Sequence, residues 1–167
     1  MKKTALYIAL FAAIAVSIYS APRTSAAGIC EFQKDLQGLS RAEENTLAGD
    51  SSDNIKAELT LRKTILNQIL DCAINDAVTM QSNIKSLPIS DPDIQAIQNR
   101  LLSKFDDVIN YYRLQKTLVG DLGIEGSKKF SMDLKVWRNS TYEALFELGT
   151  NFIIFSKNQE LMRIAGD

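Results

Sequence analysis

The sequence predicts an all-α protein, an up-down-up-down four-helix bundle with a short first helix and a long fourth helix. Apolar residues recur at steps of three and four residues from Ile29 onward, which is the spacing of amphipathic helices. No segment of useful length shows strand alternation, and eight glycines and three prolines are few for a β-sandwich or barrel. Short turn-forming segments separate the four helical patterns, as they do in antiparallel bundles.

Residues 1–27 have the features of a signal peptide. A cationic start, Met1-Lys2-Lys3, precedes an apolar run over residues 5–18. About fourteen residues suit a signal-peptide core better than a membrane span, which needs roughly twenty. Small residues at 24–27 predict cleavage after Ala26 or Ala27. The alternative is an uncleaved anchor, and in both cases residues 28–167 are expected to fold outside the cytoplasm, in the periplasm or as a secreted domain.

The charge balance bears on the partners of this domain. The whole chain has 19 basic and 20 acidic residues, and removal of residues 1–27 takes away Lys2, Lys3 and Arg23. The remaining domain is therefore acidic and lacks the positive surface that nucleic-acid binding requires. A membrane would be reached only through an uncleaved N-terminal segment.

The first two helices are predicted on either side of a polar turn. The first stripe contains Ile29, Phe32, Leu36, Leu39 and Leu47, and Gly49 ends the helix. Residues 50–54 supply the turn and an N-cap for a second helix over about residues 54–87. Two adjoining apolar stripes predict that this helix is buried on a wide face, whereas Arg62-Lys63 is interpreted as solvated.

The third and fourth helices follow from capping residues and periodicity. Asp91 is a predicted N-cap, with Pro92 at the first helical position, and a glycine-containing loop over residues 120–126 ends the third helix. The fourth is predicted from near Ser127, with weak helix formers at 139–141 making a bend possible. Its expected core stripe is Phe130, Leu134, Trp137, Thr141, Leu145, Leu148, Phe152 and Phe155.

Cys30 and Cys72 are the only two cysteines, and an exported chain with two cysteines is expected to form a disulfide. In an antiparallel hairpin, residues equally distant from the turn lie opposite each other. The midpoint of positions 30 and 72 is 51, inside the predicted turn. Two buried thiols are the alternative, and the absence of a C-x-x-C motif disfavours a thiol oxidoreductase.

The unequal helix lengths predict an end of the bundle that the first helix does not cover. Neighbouring helices or the chain near Gly28 could bury this end. The other interpretation is an interface for another protein or for a second copy of the chain. The residues predicted at this interface are Val78, Ile84, Leu87, Ile94, Ile97, Phe152, Ile153, Ile154 and Phe155.

The absence of histidine limits the chemistry of the chain. It excludes His-based acid–base catalysis, His-containing triads and His-ligated metal or haem sites. The helical carboxylates lack the Glu-x-x-His partners of di-metal centres, so we expect no catalytic residue, metal or cofactor. The expected function is that of a non-catalytic interaction or structural component of the cell envelope. A carrier or sensor of a small apolar ligand, and a carboxylate-based enzyme, are the alternatives.

Two segments carry a resemblance. The run Tyr111-Tyr112-Arg113-Leu114-Gln115-Lys116 and the run from Lys135 to Tyr142 are similar to uncharacterised, predicted-secreted helical proteins of bacteria. The resemblance covers the last two predicted helices. It implies an exported all-helical fold, and it implies no activity because those proteins have none assigned.

Overall fold

The computed structural model describes residues 33–49 and 51–166. The regular structure over these residues is entirely helical and contains no strand, which confirms the all-α prediction for this part of the chain. The predicted signal peptide and Cys30 lie outside the described residues. The helices are α1 (Gln33–Ala48), α2 (Ser52–Lys85), α3 (Pro92–Leu118) with a 3-10 turn (Val119–Asp121), α4 (Ile124–Trp137), a π-helical segment (Arg138–Tyr142) and α5 (Glu143–Gly166).

Capping residues set the starts of α2 and α3. The Oδ1 atom of Asp91 accepts hydrogen bonds from the backbone N–H groups of Asp93 (2.8 Å) and Ile94 (3.2 Å), which confirms the predicted N-cap. Pro92 occupies the first helical position, where its missing N–H costs nothing. At the start of α2, the Ser51 hydroxyl accepts a hydrogen bond from the N–H of Asn54, so this helix begins earlier than predicted.

The fourth predicted helix also begins earlier, at Ile124 rather than near Ser127. The backbone N–H of Ser127 already donates to the carbonyl of Gly123, so Gly126 lies within the first turn. Glu125 favours this start because a carboxylate is stabilised near a helix N-terminus. The interpretation of residues 120–126 as a continuous loop is therefore wrong for residues 124–126.

The described residues divide into two compact units. The first contains residues 33–72 and Leu114–Val136. Its core includes Leu39 of α1, Ile65 and Leu66 of α2, and Leu134 of α4. The Nε2 atom of Gln68 donates to Asp35 (2.8 Å), and the Nζ atom of Lys63 donates to the carbonyl of Gly120 (2.6 Å).

The second unit contains Ala73–Arg113 and residues 137–166. Gln81 donates to Asp106 (2.7 Å), and buried Gln98 donates to the carbonyl of Ile84 (2.8 Å), so two side chains link α2 and α3. The core of this unit contains Ala73, Ala77, Met80, Ile84, Leu101, Phe105, Val108, Ile109, Tyr112, Tyr142 and Phe152.

Gly149 allows α5 to approach the other helices of the second unit. A Cβ atom at this position would lie 3.2 Å from Ile84 Cδ1 and 3.2 Å from two ring carbons of Phe105. We expect Gly149→Ala to lower the free energy of unfolding by about 1 kcal/mol, because overpacking outweighs the gain in helix propensity. Urea denaturation measures the change.

Gly126→Ala is the matched control, since Gly126 is exposed on α4 and the added Cβ would make only ordinary contact, 3.6 Å from Leu122. This substitution should raise the free energy of unfolding by up to about 1 kcal/mol. Equal stabilisation by both substitutions would show that the approach at Gly149 is loose.

Candidate functional site: an exposed apolar seam on the last helix

All nine residues of the predicted interface belong to the second unit, whereas α1 belongs to the first. Their exposure differs. Ile84 and Phe152 are buried in the core, and Leu87, Ile94 and Ile153 are partly buried. The exposed members are Val78, Ile97, Ile154 and Phe155. Two of these four are consecutive residues of α5, and this helix carries further exposed apolar residues.

The π-helical segment determines which side of α5 is exposed. The backbone N–H of Glu143 donates to the carbonyl of Arg138, five residues earlier, so one extra residue is accommodated in the helix. An extra residue shifts every later side chain by about 100° around the helix axis. The buried face therefore passes from Leu134 through Arg138 to Tyr142, and Thr141 is exposed.

This shift contradicts three members of the predicted core stripe beyond Trp137, namely Thr141, Leu148 and Phe155. Leu148 and Phe155 were expected in the core, and they are 55% and 49% exposed. Phe152, another member of the predicted stripe, is buried as expected, and Gly149 is also buried on the inner face. The weak helix formers at 139–141 did mark the position of the irregularity, because the π-helical segment contains all three of them.

An aromatic cluster accompanies the π-helical segment. The rings of Tyr111 and Trp137 are stacked with centroids 3.7 Å apart, and Tyr112 meets Trp137 edge to face at 5.2 Å. The guanidinium of Arg138 lies 5.3 Å from the centroid of the Tyr142 ring, and its Nε atom donates to Glu143 at 3.0 Å. These rings contact one another, as expected for core and rim residues.

The outer side of α5 forms a continuous seam of exposed residues at the three-four spacing of a coiled coil. We define this exposed seam by its ten residues. They are Ala144, Glu147, Leu148, Asn151, Ile154, Phe155, Asn158, Leu161, Met162 and Ala165. Large apolar residues at five of these positions exceed what a surface helix of a monomer normally exposes on one side.

A buried ion cluster in the first unit is a second candidate site. Arg62 of α2 is 1% exposed, and its Nε atom donates to Glu58 at 2.8 Å. Its second terminal nitrogen donates to Glu43 of α1. The interpretation of Arg62 as a solvated residue is therefore wrong. The available signal was its position, four residues after Glu58 and on the same helical face as buried Leu66 and Ile69.

Burial raises the pKa of the Glu43 carboxyl above its usual range, although Arg62 beside it acts in the opposite direction. The negative charge of Glu58 also raises this pKa, and Lys128 lowers it. The arrangement places two carboxylates around one cation in a nearly water-free position. The ion cluster therefore connects α1 to α2.

The described residues, 33–49 with 51–166, contain no cluster of three or more Cys, Asp or Glu side chains able to bind a metal ion. Within the same ranges, no helix combines the length and the apolar character needed to span a bilayer. Comparisons with protein-family models, curated proteins and solved structures found no match to this chain.

Proposed function

We propose that the chain is an exported helical-bundle protein that acts by binding, as an interaction or structural component of the cell envelope. The exposed seam of α5 is the observation that carries this proposal. Its large apolar residues lie in one surface of the second unit and have no role in the core of that unit. A continuous exposed patch of several large apolar side chains marks an interaction site in water-soluble domains.

Residue pairs within each unit support the up-down arrangement. In the first unit, the α1–α2 pairs Asp35–Gln68, Gly38–Leu61 and Glu43–Arg62 have midpoints between residues 49 and 53. In the second, the α3–α5 contact of Phe105 with Gly149 and the Tyr112–Tyr142 pair share the midpoint 127. When the midpoint of the two residue numbers in each contacting pair is nearly constant, the two helices are antiparallel. In such a pair of helices, the residue number increases along one helix as it decreases along the other.

A carboxylate-based enzyme is the alternative that one observation favours, namely the raised pKa of Glu43 close to Glu58. General acid catalysis uses carboxyl groups of this kind. However, Arg62 is bound to both carboxylates, and Arg62 and Glu58 are buried. The geometry therefore favours a cluster that supports the fold, and we prefer the binding function.

A capture experiment tests the binding function. The purified protein is incubated with envelope extract beside Phe155→Asp and Val136→Asp variants. Val136 is the matched control because it is an exposed apolar residue of the first unit, on α4. We expect Phe155→Asp to capture at least tenfold less material than the unsubstituted protein, because a charge in the seam must be desolvated on binding. Val136→Asp should capture as much as the unsubstituted protein. Equal capture by all three proteins would refute binding through the seam.

A further inference from the structure

We propose that the partner of the exposed seam is a second copy of this chain, and that the two α5 helices pair through Asn151 and Asn158. The inference rests on the proposed binding function and adds the identity of the partner. It starts from the arrangement of the ten seam residues along α5.

The seam has a central row and two flanking rows. Asn151 and Asn158 are seven residues apart in the central row, and Ala144 and Ala165 continue it at the same spacing. One flanking row contains Glu147, Ile154 and Leu161. The other contains Leu148, Phe155 and Met162, also seven residues apart. A seven-residue repeat over three heptads is the pattern by which helices pair along their length.

The central asparagines favour an identical partner. An amide side chain both donates and accepts hydrogen bonds, so asparagine can satisfy another asparagine across an interface. Facing a purely apolar partner, two buried amides would lose their hydrogen bonds to water and gain nothing. A second copy places asparagine opposite asparagine whether the helices run parallel, with Asn151 facing Asn151, or antiparallel, with Asn151 facing Asn158. Asparagine within a helical seam is known to select register and oligomeric state in this way.

The charges of the seam permit two identical copies to meet. Glu147 is the one charged member of the seam, and it lies toward the N-terminal end of α5. Beside the seam, Arg163 is bound to Glu160 at 2.8 Å, so these two charges neutralise each other. A helix that lies on an anionic lipid surface is rich in Lys and Arg on its polar face. The outer side of α5 lacks such an excess, which favours a second copy over a bilayer.

The exposed area sets the expected affinity. Five large apolar side chains, each about half exposed or more, leave on the order of 400 Å² of apolar surface per copy. Stable protein interfaces bury about 800 Å² per partner. The polar and small seam residues add to the apolar area, so we expect a reversible dimer with a dissociation constant of about 1–100 µM.

Sedimentation velocity of the purified protein over a concentration series tests the pairing. We expect the dimer fraction to rise through the micromolar range. Phe155→Asp should weaken dimerisation at least tenfold with an unchanged helical circular dichroism spectrum, while Val136→Asp should dimerise like the unsubstituted protein. The double variant Asn151→Leu, Asn158→Leu should change the stoichiometry or tighten association at least tenfold, because the asparagines that select register and oligomeric state are then lost.

Each outcome decides between the two proposals. A protein that remains monomeric up to about 1 mM overturns self-pairing. If that monomer still captures material from the extract and Phe155→Asp does not, binding through the seam stands with a different partner. If capture is also insensitive to Phe155→Asp, both proposals fail. A dimer that Phe155→Asp leaves intact would show that the copies meet elsewhere.

Discussion

Replacing Arg62 by alanine is expected to destabilise the protein by about 3–5 kcal/mol, because the substitution leaves two buried carboxylates without their shared cation. Glu58 is 4% exposed and Glu43 9% exposed, so water cannot take over the role of the guanidinium. Arg62→Met retains the packing of the side-chain stem and isolates the electrostatic part. Urea denaturation followed by circular dichroism measures both variants.

The matched control for Arg62 is Arg163, which also pairs with a glutamate, Glu160, but is exposed. Arg163→Ala should leave the free energy of unfolding nearly unchanged, since exposed pairs contribute little. A loss below about 1 kcal/mol for Arg62→Ala would show that the cluster is hydrated. Replacing Glu43, Glu58 and Arg62 together by apolar residues should recover much of the lost stability.

The pH dependence of the Arg62→Ala variant gives an independent signature. The pKa of Glu43 is already raised by burial, and loss of Arg62 removes an influence that lowers it. A carboxyl whose pKa is higher in the folded state binds its proton more tightly when folded. Stability therefore falls as pH rises from the pKa of the unfolded state through the pKa of the folded state. The deficit of the variant should therefore be largest at neutral pH and shrink as pH falls toward 4.5, the ordinary pKa of glutamate.

The sequence signals were sufficient at the start of α3, where a local interaction decides the structure. Asp91 and Pro92 predicted the start of α3 because capping and a fixed φ angle act within one helical turn. Apolar spacing likewise predicted the existence of the helices, since each must bury one face. The start at Ile124 was missed because two glycines nearby resemble a loop, although the helix continues through Gly126.

The exposed seam could not be predicted from periodicity alone. One extra residue in the π-helical segment rotates all later residues by about 100°, and apolar spacing counted at regular helical steps does not show where such a residue is inserted. The burial of Arg62 was missed for a related reason. A charged residue is assigned to the surface unless its partners are known, and Glu43 comes from a different helix.

The second large effect is expected from the predicted bond between Cys30 and Cys72. Cys72 is partly buried in α2, and Cys30 lies outside the described residues. The bond therefore remains a prediction, which rests on the register of α1 against α2. The pairs Asp35–Gln68 and Glu43–Arg62 have midpoints of 51.5 and 52.5, and the two cysteines have the midpoint 51. If the chain before Gln33 continued this register, the two cysteines would lie level with each other.

Closing a loop of this length should stabilise the folded state by about 4 kcal/mol, because the bond restricts the unfolded chain. We expect the unfolded protein to contain no titratable thiol until a reductant is added. Cys30→Ser, Cys72→Ser and the double variant should lose similar amounts of stability, as each removes the same bond. The double variant should be insensitive to reductant, which separates loss of the bond from other effects of the reagent.

Unequal losses would discriminate between a bond and two separate thiols. If the cysteines were independent, Cys72→Ser would cost only the burial of one partly buried side chain, and Cys30→Ser would have its own unrelated effect. Two thiols would then titrate in the unfolded, unreduced protein. Equal losses with no titratable thiol would instead show a bond between Cys30 and α2, in addition to the Glu43–Arg62 contact between α1 and α2. If the bond forms, the Arg62→Ala variant should have a smaller unfolded fraction when oxidised than when reduced. The reason is that the bond still stabilises the folded state by about 4 kcal/mol after the ion cluster is lost.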